Sequence, residues 1–137
     1  MSAPRAGEAP APLVLVVDDY TDGRELLVEY LSFSGFRVEQ AADGPEALEK
    51  ARALLPDVIL MDLSLPTLDG WEVTRRLRAD SATRSTRIIA VTAHALESHA
   101  ESSRAAGCDA VVTKPCLPAD LLVEVRRQLT LAGRGKS

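Results

Sequence analysis

Two runs in this chain are apolar at every position: Leu13-Val14-Leu15-Val16-Val17, closed by Asp18-Asp19, and Val58-Ile59-Leu60-Met61, closed by Asp62. Short continuous runs rich in β-branched residues predict strands buried on both faces, the habit of a parallel sheet covered by helices. Arg87-Ile88-Ile89-Ala90-Val91-Thr92 and Ala110-Val111-Val112-Thr113 repeat the pattern. Phe36-Arg37-Val38-Glu39-Gln40 alternates apolar with polar residues instead, which predicts a half-exposed strand at an edge.

Between these strands the apolar period changes to that of a helix. Leu26, Leu27, Tyr30 and Leu31 predict a first helix ended by Gly35, and Ala47, Leu48, Ala51, Leu54 and Leu55 a second, with Pro45 suited to its first turn. A loop holding Pro66 and Asp69-Gly70 leads into a third helix through Trp71, Val73, Thr74 and Leu77. A weakly amphipathic stretch over 94–106 predicts a fourth, stopped by Gly107, and Leu121, Leu122, Val125 and Leu129 a last one. Five strands alternating with five helices predict an α/β fold: one parallel sheet, right-handed crossovers and helices on both faces. The domain is expected over 13–131. A flexible lead-in over 1–12, carrying Pro4, Pro10 and Pro12, precedes it, and a disordered tail over 132–137 follows.

In a parallel sheet all the strands end on one rim, so Asp18, Asp19, Asp62, Thr92 and Lys114 are expected together at the carboxyl edge, where open α/β folds hold their ligands. A single Asp after a strand is commonly a helix cap. A doublet and a single acid at matching strand ends predict more, because clustered carboxylates repel unless a cation sits among them. Oxygen donors of this kind suit a hard ion, Mg²⁺ ahead of Ca²⁺ or Zn²⁺. A hydroxyl and a lysine around one carboxylate also have a chemical use: Asp62 can attack a phosphoryl group, with Mg²⁺ and Lys114 stabilising charge on its oxygens.

Composition narrows the setting. A 137-residue chain, 46% hydrophobic and 26% charged, is expected to form one globular domain with a real core. Its net charge of -4 leaves no footprint for a nucleic-acid backbone, so Arg75, Arg76 and Arg78 are read as the solvated face of a helix. Nothing approaches the roughly 20 apolar residues of a membrane span, and the first residues lack a secretory apolar stretch. A cytoplasmic protein without nucleic-acid or membrane partners is therefore expected. Cys108 and Cys116 form no C-x-x-C pair and are read as packing thiols. Gly135-Lys136-Ser137 imitates the end of a phosphate-binding loop, but the earlier glycine is replaced by Thr130.

From about Leu13 to Leu131 the chain resembles the receiver domain of two-component response regulators. The resemblance rests on Val16-Val17-Asp18-Asp19, Pro56-Asp57-Val58-Ile59-Leu60-Met61-Asp62-Leu63, Leu65-Pro66-Thr67-Leu68-Asp69-Gly70-Trp71-Glu72, Ile89-Ala90-Val91-Thr92-Ala93 and Lys114-Pro115. Each is weak alone, and their order at the strand ends makes them specific together. The resemblance implies a doubly wound, flavodoxin-like five-stranded sheet of order 2-1-3-4-5 with five helices. It implies phosphorylation of Asp62, Mg²⁺ held by Asp62, directly by Asp19 and the backbone carbonyl of Ser64 and largely through water by Asp18, and a phosphoryl group met by Thr92 and Lys114. It further implies a cis Lys114–Pro115 bond and a first helix, with Leu26, Leu27 and Tyr30, that meets the phosphodonor.

Ser64 and His94 fall where family members tune the lifetime of the phosphoryl group, although His94 reads equally as an exposed residue of a helix's first turn. Val111 departs from the family, which often places an aromatic switch residue there. Signalling through the fourth helix, fifth strand and last helix is still expected. The partners implied are a sensor histidine kinase or a histidine phosphotransfer protein and a downstream target protein, with homodimerisation on phosphorylation left open. The length suggests a stand-alone receiver, acting by protein contact and catalysing only its own phosphorylation and dephosphorylation. Two alternatives remain beside it. One is a degenerate receiver that binds partners without phosphorylation. The other is a Mg²⁺-dependent phosphohydrolase, disfavoured by Ser64 where such enzymes place a second acid.

Overall fold

Each apolar run becomes a strand in the computed structural model, which describes residues 10–65, 68–92 and 107–133. β1 is Leu13–Val17, β2 Arg37–Ala41, β3 Val58–Asp62, β4 Arg87–Thr92 and β5 Ala110–Thr113. All pair in parallel, in the order β2-β1-β3-β4-β5. β1, β3 and β4 are buried almost throughout, whereas β2 is mostly half-exposed at its edge and begins one residue later than its alternation suggested. The sheet grows outward from β1 in both directions, which opens the crevice of a doubly wound fold between β1 and β3.

The helices described are α1 (Thr21–Phe33), α2 (Gly44–Leu54), α3 (Gly70–Ala79) and α4 (Pro118–Leu131). The helix expected over 94–106 lies outside the described residues. Two starts are capped as the short polar residues there favour. Asp43 accepts the Glu46 N–H at 2.9 Å while Glu46 accepts that of Ala42 at 2.8 Å, and Asp69 accepts the Glu72 N–H at 2.9 Å.

Strand alternation divides the core in two. Leu15, Val17, Ile59, Met61, Ile88 and Ala90 pack against α2 and α3, with Ala51, Val73 and Leu77 among their partners. Val14, Val16, Val58, Leu60, Ile89 and Val91 pack on the opposite face against α1 and α4, through Leu31, Leu121, Val125 and Leu129. Cys108 joins the first cluster and Cys116 the second, both as free thiols raised in pKa chiefly by burial.

At the amino edge of the sheet the reading of three solvated arginines needs correction. Arg75 and Arg76 do lie on the outer face, 3.3 and 3.1 Å from Glu72. Arg78 stands one turn beyond buried Thr74 and follows buried Leu77, so its guanidinium turns beneath the helix. There it donates to the carbonyls of Arg84 and Gly107 at 2.8 Å each, to that of Thr86, and to the Asp109 carboxylate at 2.7 Å. Asp109 also takes the Ile88 N–H at 2.7 Å and lies 3.6 Å from Arg87. Arg87 donates to fully buried Gln128 of α4, which donates to Glu124 at 2.7 Å. One polar chain thus ties α3, β4, β5 and α4 together.

Candidate functional site

Hydrogen bonding just past each strand end fixes where the polar residues stand. Asp18 N–H donates to the Ala41 carbonyl at 3.1 Å, Leu63 N–H to that of Val91 at 3.1 Å, and Lys114 N–H to that of Thr92 at 2.7 Å. The registers Val17↔Met61, Asp62↔Val91 and Thr92↔Thr113 bring those ends level. Alternation also sorts them by face. Asp18 continues the parity of Val14 and Val16, Asp62 that of Val58 and Leu60, and Lys114 that of Ala110 and Val112, all on the side of α1 and α4.

Asp18, Asp19 and Asp62 there offer carboxylate oxygens all within 4.8 Å of one another. Asp62 is the innermost, 5% exposed, whereas Asp19 faces solvent. One Asp62 oxygen accepts the Ser64 N–H at 2.9 Å; the other lies 3.5 Å from Lys114 Nζ, which is itself 3.8 Å from Asp18. Burial raises the Asp62 pKa above the ordinary carboxylate range, the Ser64 N–H and then Lys114 oppose the rise, and the Asp18 charge adds to it. Neither Asp18 nor Asp62 is a helix cap in the usual sense. Asp18 accepts the Tyr20 N–H at 2.9 Å in a local turn, and α1 has no side-chain cap.

Two supports were not visible in the sequence pattern. Arg24 of α1 donates to the Asp18 carbonyl and to the Gln40 side chain, both at 2.8 Å, fastening the loop of the acid pair to β2. Gly70, the first residue of α3, lies so close to the end of β3 that a Cβ there would stand 2.6 Å from the Asp62 carbonyl oxygen and 2.8 Å from Leu63 Cα. Thr92 is buried at the end of β4, the Lys114–Pro115 bond is cis, and Val111 packs against the α2–α3 core. Ser64 is exposed, and its amide, not its hydroxyl, meets Asp62. His94 lies outside the described residues.

Oxygen-only donors converging from two strands are a set that hard cations accept, and the lysine beside them matches an anionic phosphoryl group. Residues 14–126 match the family model of the response regulator receiver domain. The chain belongs to the response regulator receiver family. Among relatives of this receiver is the polar-differentiation response regulator DivK of Brucella anthropi, 39% identical over 102 residues that make up 74% of this chain and 83% of DivK. The chemotaxis protein CheY4 of Vibrio cholerae has the same receiver fold at 34% identity and a TM-score of 0.83, the match covering 87% of this chain and 99% of CheY4. The receiver domain of a sensor histidine kinase from Pseudomonas aeruginosa PAO1, solved with a magnesium ion coordinated in its active-site cleft, matches at 35% identity with a TM-score of 0.80. That match covers 88% of this receiver and 98% of the solved domain.

Proposed function

We propose that this receiver accepts a phosphoryl group on Asp62 from a sensor histidine kinase or a histidine phosphotransfer protein and signals by phosphorylation-dependent contact with a target protein. The observation that carries the proposal is the placement of a buried carboxylate 3.5 Å from Lys114 within a triad of acids at the carboxyl edge of a receiver sheet.

In the transfer, an Asp62 oxygen forms a bond to phosphorus while the phosphorus–nitrogen bond of the donor's phosphohistidine breaks, its electron pair leaving on the imidazole. The Ser64 amide holds the other Asp62 oxygen and so aims the carboxylate. Lys114 pairs with the charge that arrives, and Thr92, at the neighbouring strand end, hydrogen-bonds the phosphoryl group. Asp62, Asp19 and the Ser64 carbonyl would hold Mg²⁺, with Asp18 acting through water. Bound there, the ion neutralises the acids and the phosphoryl oxygens. Occupancy of Asp62 then biases a pre-existing equilibrium of the face assigned to the helix expected over 94–106, β5 and α4, where the target binds. Val111 gives that face no aromatic switch residue. The setting that suits such a partner set is cytoplasmic.

The test is intact mass after incubation with Mg²⁺ and acetyl phosphate. One phosphoryl group is expected on the wild type and none on Asp62→Asn. An unmodified but folded wild type overturns self-phosphorylation, and modification of both proteins moves the acceptor away from Asp62.

A further inference from the structure

The cleft holding the acids extends well past them. It is an open cleft of about 620 Å³ that runs between α1 and α4 down to the sheet, within the size range of pockets that take small organic ligands. Its charges lie at one end only, on Asp18, Asp62 and Lys114, and every other residue lining it is uncharged. Leu26 and Leu27 of α1 form one wall, and Cys116 and Leu121 the facing one. A phosphoryl group needs only the charged end.

The mouth is shaped by Tyr20 and Gly23. A Cβ at Gly23 would lie 3.0 Å from the Tyr20 ring, so the missing side chain gives the ring room against the first turn of α1. Tyr20 and Leu26 are 65% and 61% exposed, and both line the cleft. Apolar surface left open beside a charged pocket favours a ligand that is charged at one end and apolar at the other.

We propose that this cleft selects, among small phosphodonors, acyl phosphates whose acyl group is apolar and larger than acetyl. This rests on the reading of Asp62 as the acceptor and names a substrate class for it. The phosphoryl group faces Lys114 and the acids, and the acyl chain lies between Leu26, Leu27, Cys116 and Leu121. An Asp62 oxygen bonds to phosphorus as the bond from phosphorus to the acyl oxygen breaks. The electron pair leaves on that oxygen, releasing a carboxylate, and neither a proton nor an oxidant is required.

Acetyl and butyryl phosphate have leaving groups of nearly equal acidity, so a difference between them reports contact with the chain rather than intrinsic reactivity. With about fourfold per buried methylene and two more methylenes than acetyl, butyryl phosphate is expected to phosphorylate the protein about fifteenfold faster at equal subsaturating concentration with Mg²⁺. Phosphorylation is followed by intact mass, with Asp62→Asn as the control for position. In Leu26→Asn and Leu27→Ser the ratio of the two rates is expected to fall at least threefold (roughly the loss of one buried methylene). Acetyl phosphate labelling with a wild-type ratio within twofold of one overturns this inference and leaves Asp62 as the acceptor. A high ratio unmoved in both variants overturns the assignment to this cleft. Labelling by neither donor overturns the reading of Asp62 together with the inference.

Discussion

Asp62 is held where a carboxylate is least at ease, 5% exposed and within reach of two further acids. Its pKa is raised in the folded state, chiefly by burial, so over a window above the ordinary carboxylate value the folded protein keeps a proton that the unfolded chain has lost. This group's contribution to stability is therefore largest at low pH and is lost as pH rises through that window, leaving ionised Asp62 opposed to folding at neutral pH. Asp62→Asn keeps an oxygen for the Ser64 amide and removes the charge. Urea denaturation without metal at pH 7 is expected to show the variant more stable by about 1 kcal/mol, with the gap closing toward about pH 4. A variant less stable than wild type at pH 7 would contradict burial as the dominant cause.

At the scale of elements, two contacts decide how the site is aimed. The start of α3 rests on the end of β3 because Gly70 presents no side chain. Gly70→Ala forces backbone against backbone and is expected to cost about 2 kcal/mol in chemical denaturation, and to slow labelling of Asp62 in the protein that still folds. On the amino edge, Asp109→Ala strands the Arg78 guanidinium and the Ile88 N–H and is expected to cost about 2 kcal/mol. Glu72→Gln, at the exposed pair with Arg75 and Arg76, should leave the midpoint unmoved. Equal effects from Asp109→Ala and Glu72→Gln would show that the Arg78 chain is not structural.

For the whole molecule, binding and folding are linked. If the acids of β1 and β3 take Mg²⁺ only when the sheet brings them together, the ion stabilises the folded state by about 2.7 kcal/mol at a hundred times its dissociation constant. Thermal melts with and without Mg²⁺ test this, and the shift should vanish in Asp19→Asn. An undiminished shift in that variant would place the ion elsewhere.

The strands were legible because Leu13–Val17 and Val58–Met61 are apolar at every position, a pattern few other structures tolerate, whereas their order came from the resemblance to receivers and not from the pattern. The gathering of Asp18, Asp62 and Lys114 followed from strand ends and direction alone. Arg78 was misread because helical spacing reveals its neighbours on α3 but not the carbonyls of Arg84, Thr86 and Gly107 that come to meet it. Gly70 and Arg24 escaped for the same reason, their partners being fixed by tertiary approach. The apolar part of the cleft is a gap between α1 and α4, and no local pattern encodes a gap.

The chain of Arg78, Asp109, Arg87 and Gln128 contributes nothing to the lining of the cleft. In evolutionary terms this separates robustness from novelty. Selection can exchange Tyr20, Leu26 or Cys116 for a new donor or partner while the residues that keep β4, β5 and α4 in register stay untouched. Duplicated copies of such a gene can therefore drift apart in specificity along the carboxyl rim without each new pairing first having to be rescued for folding.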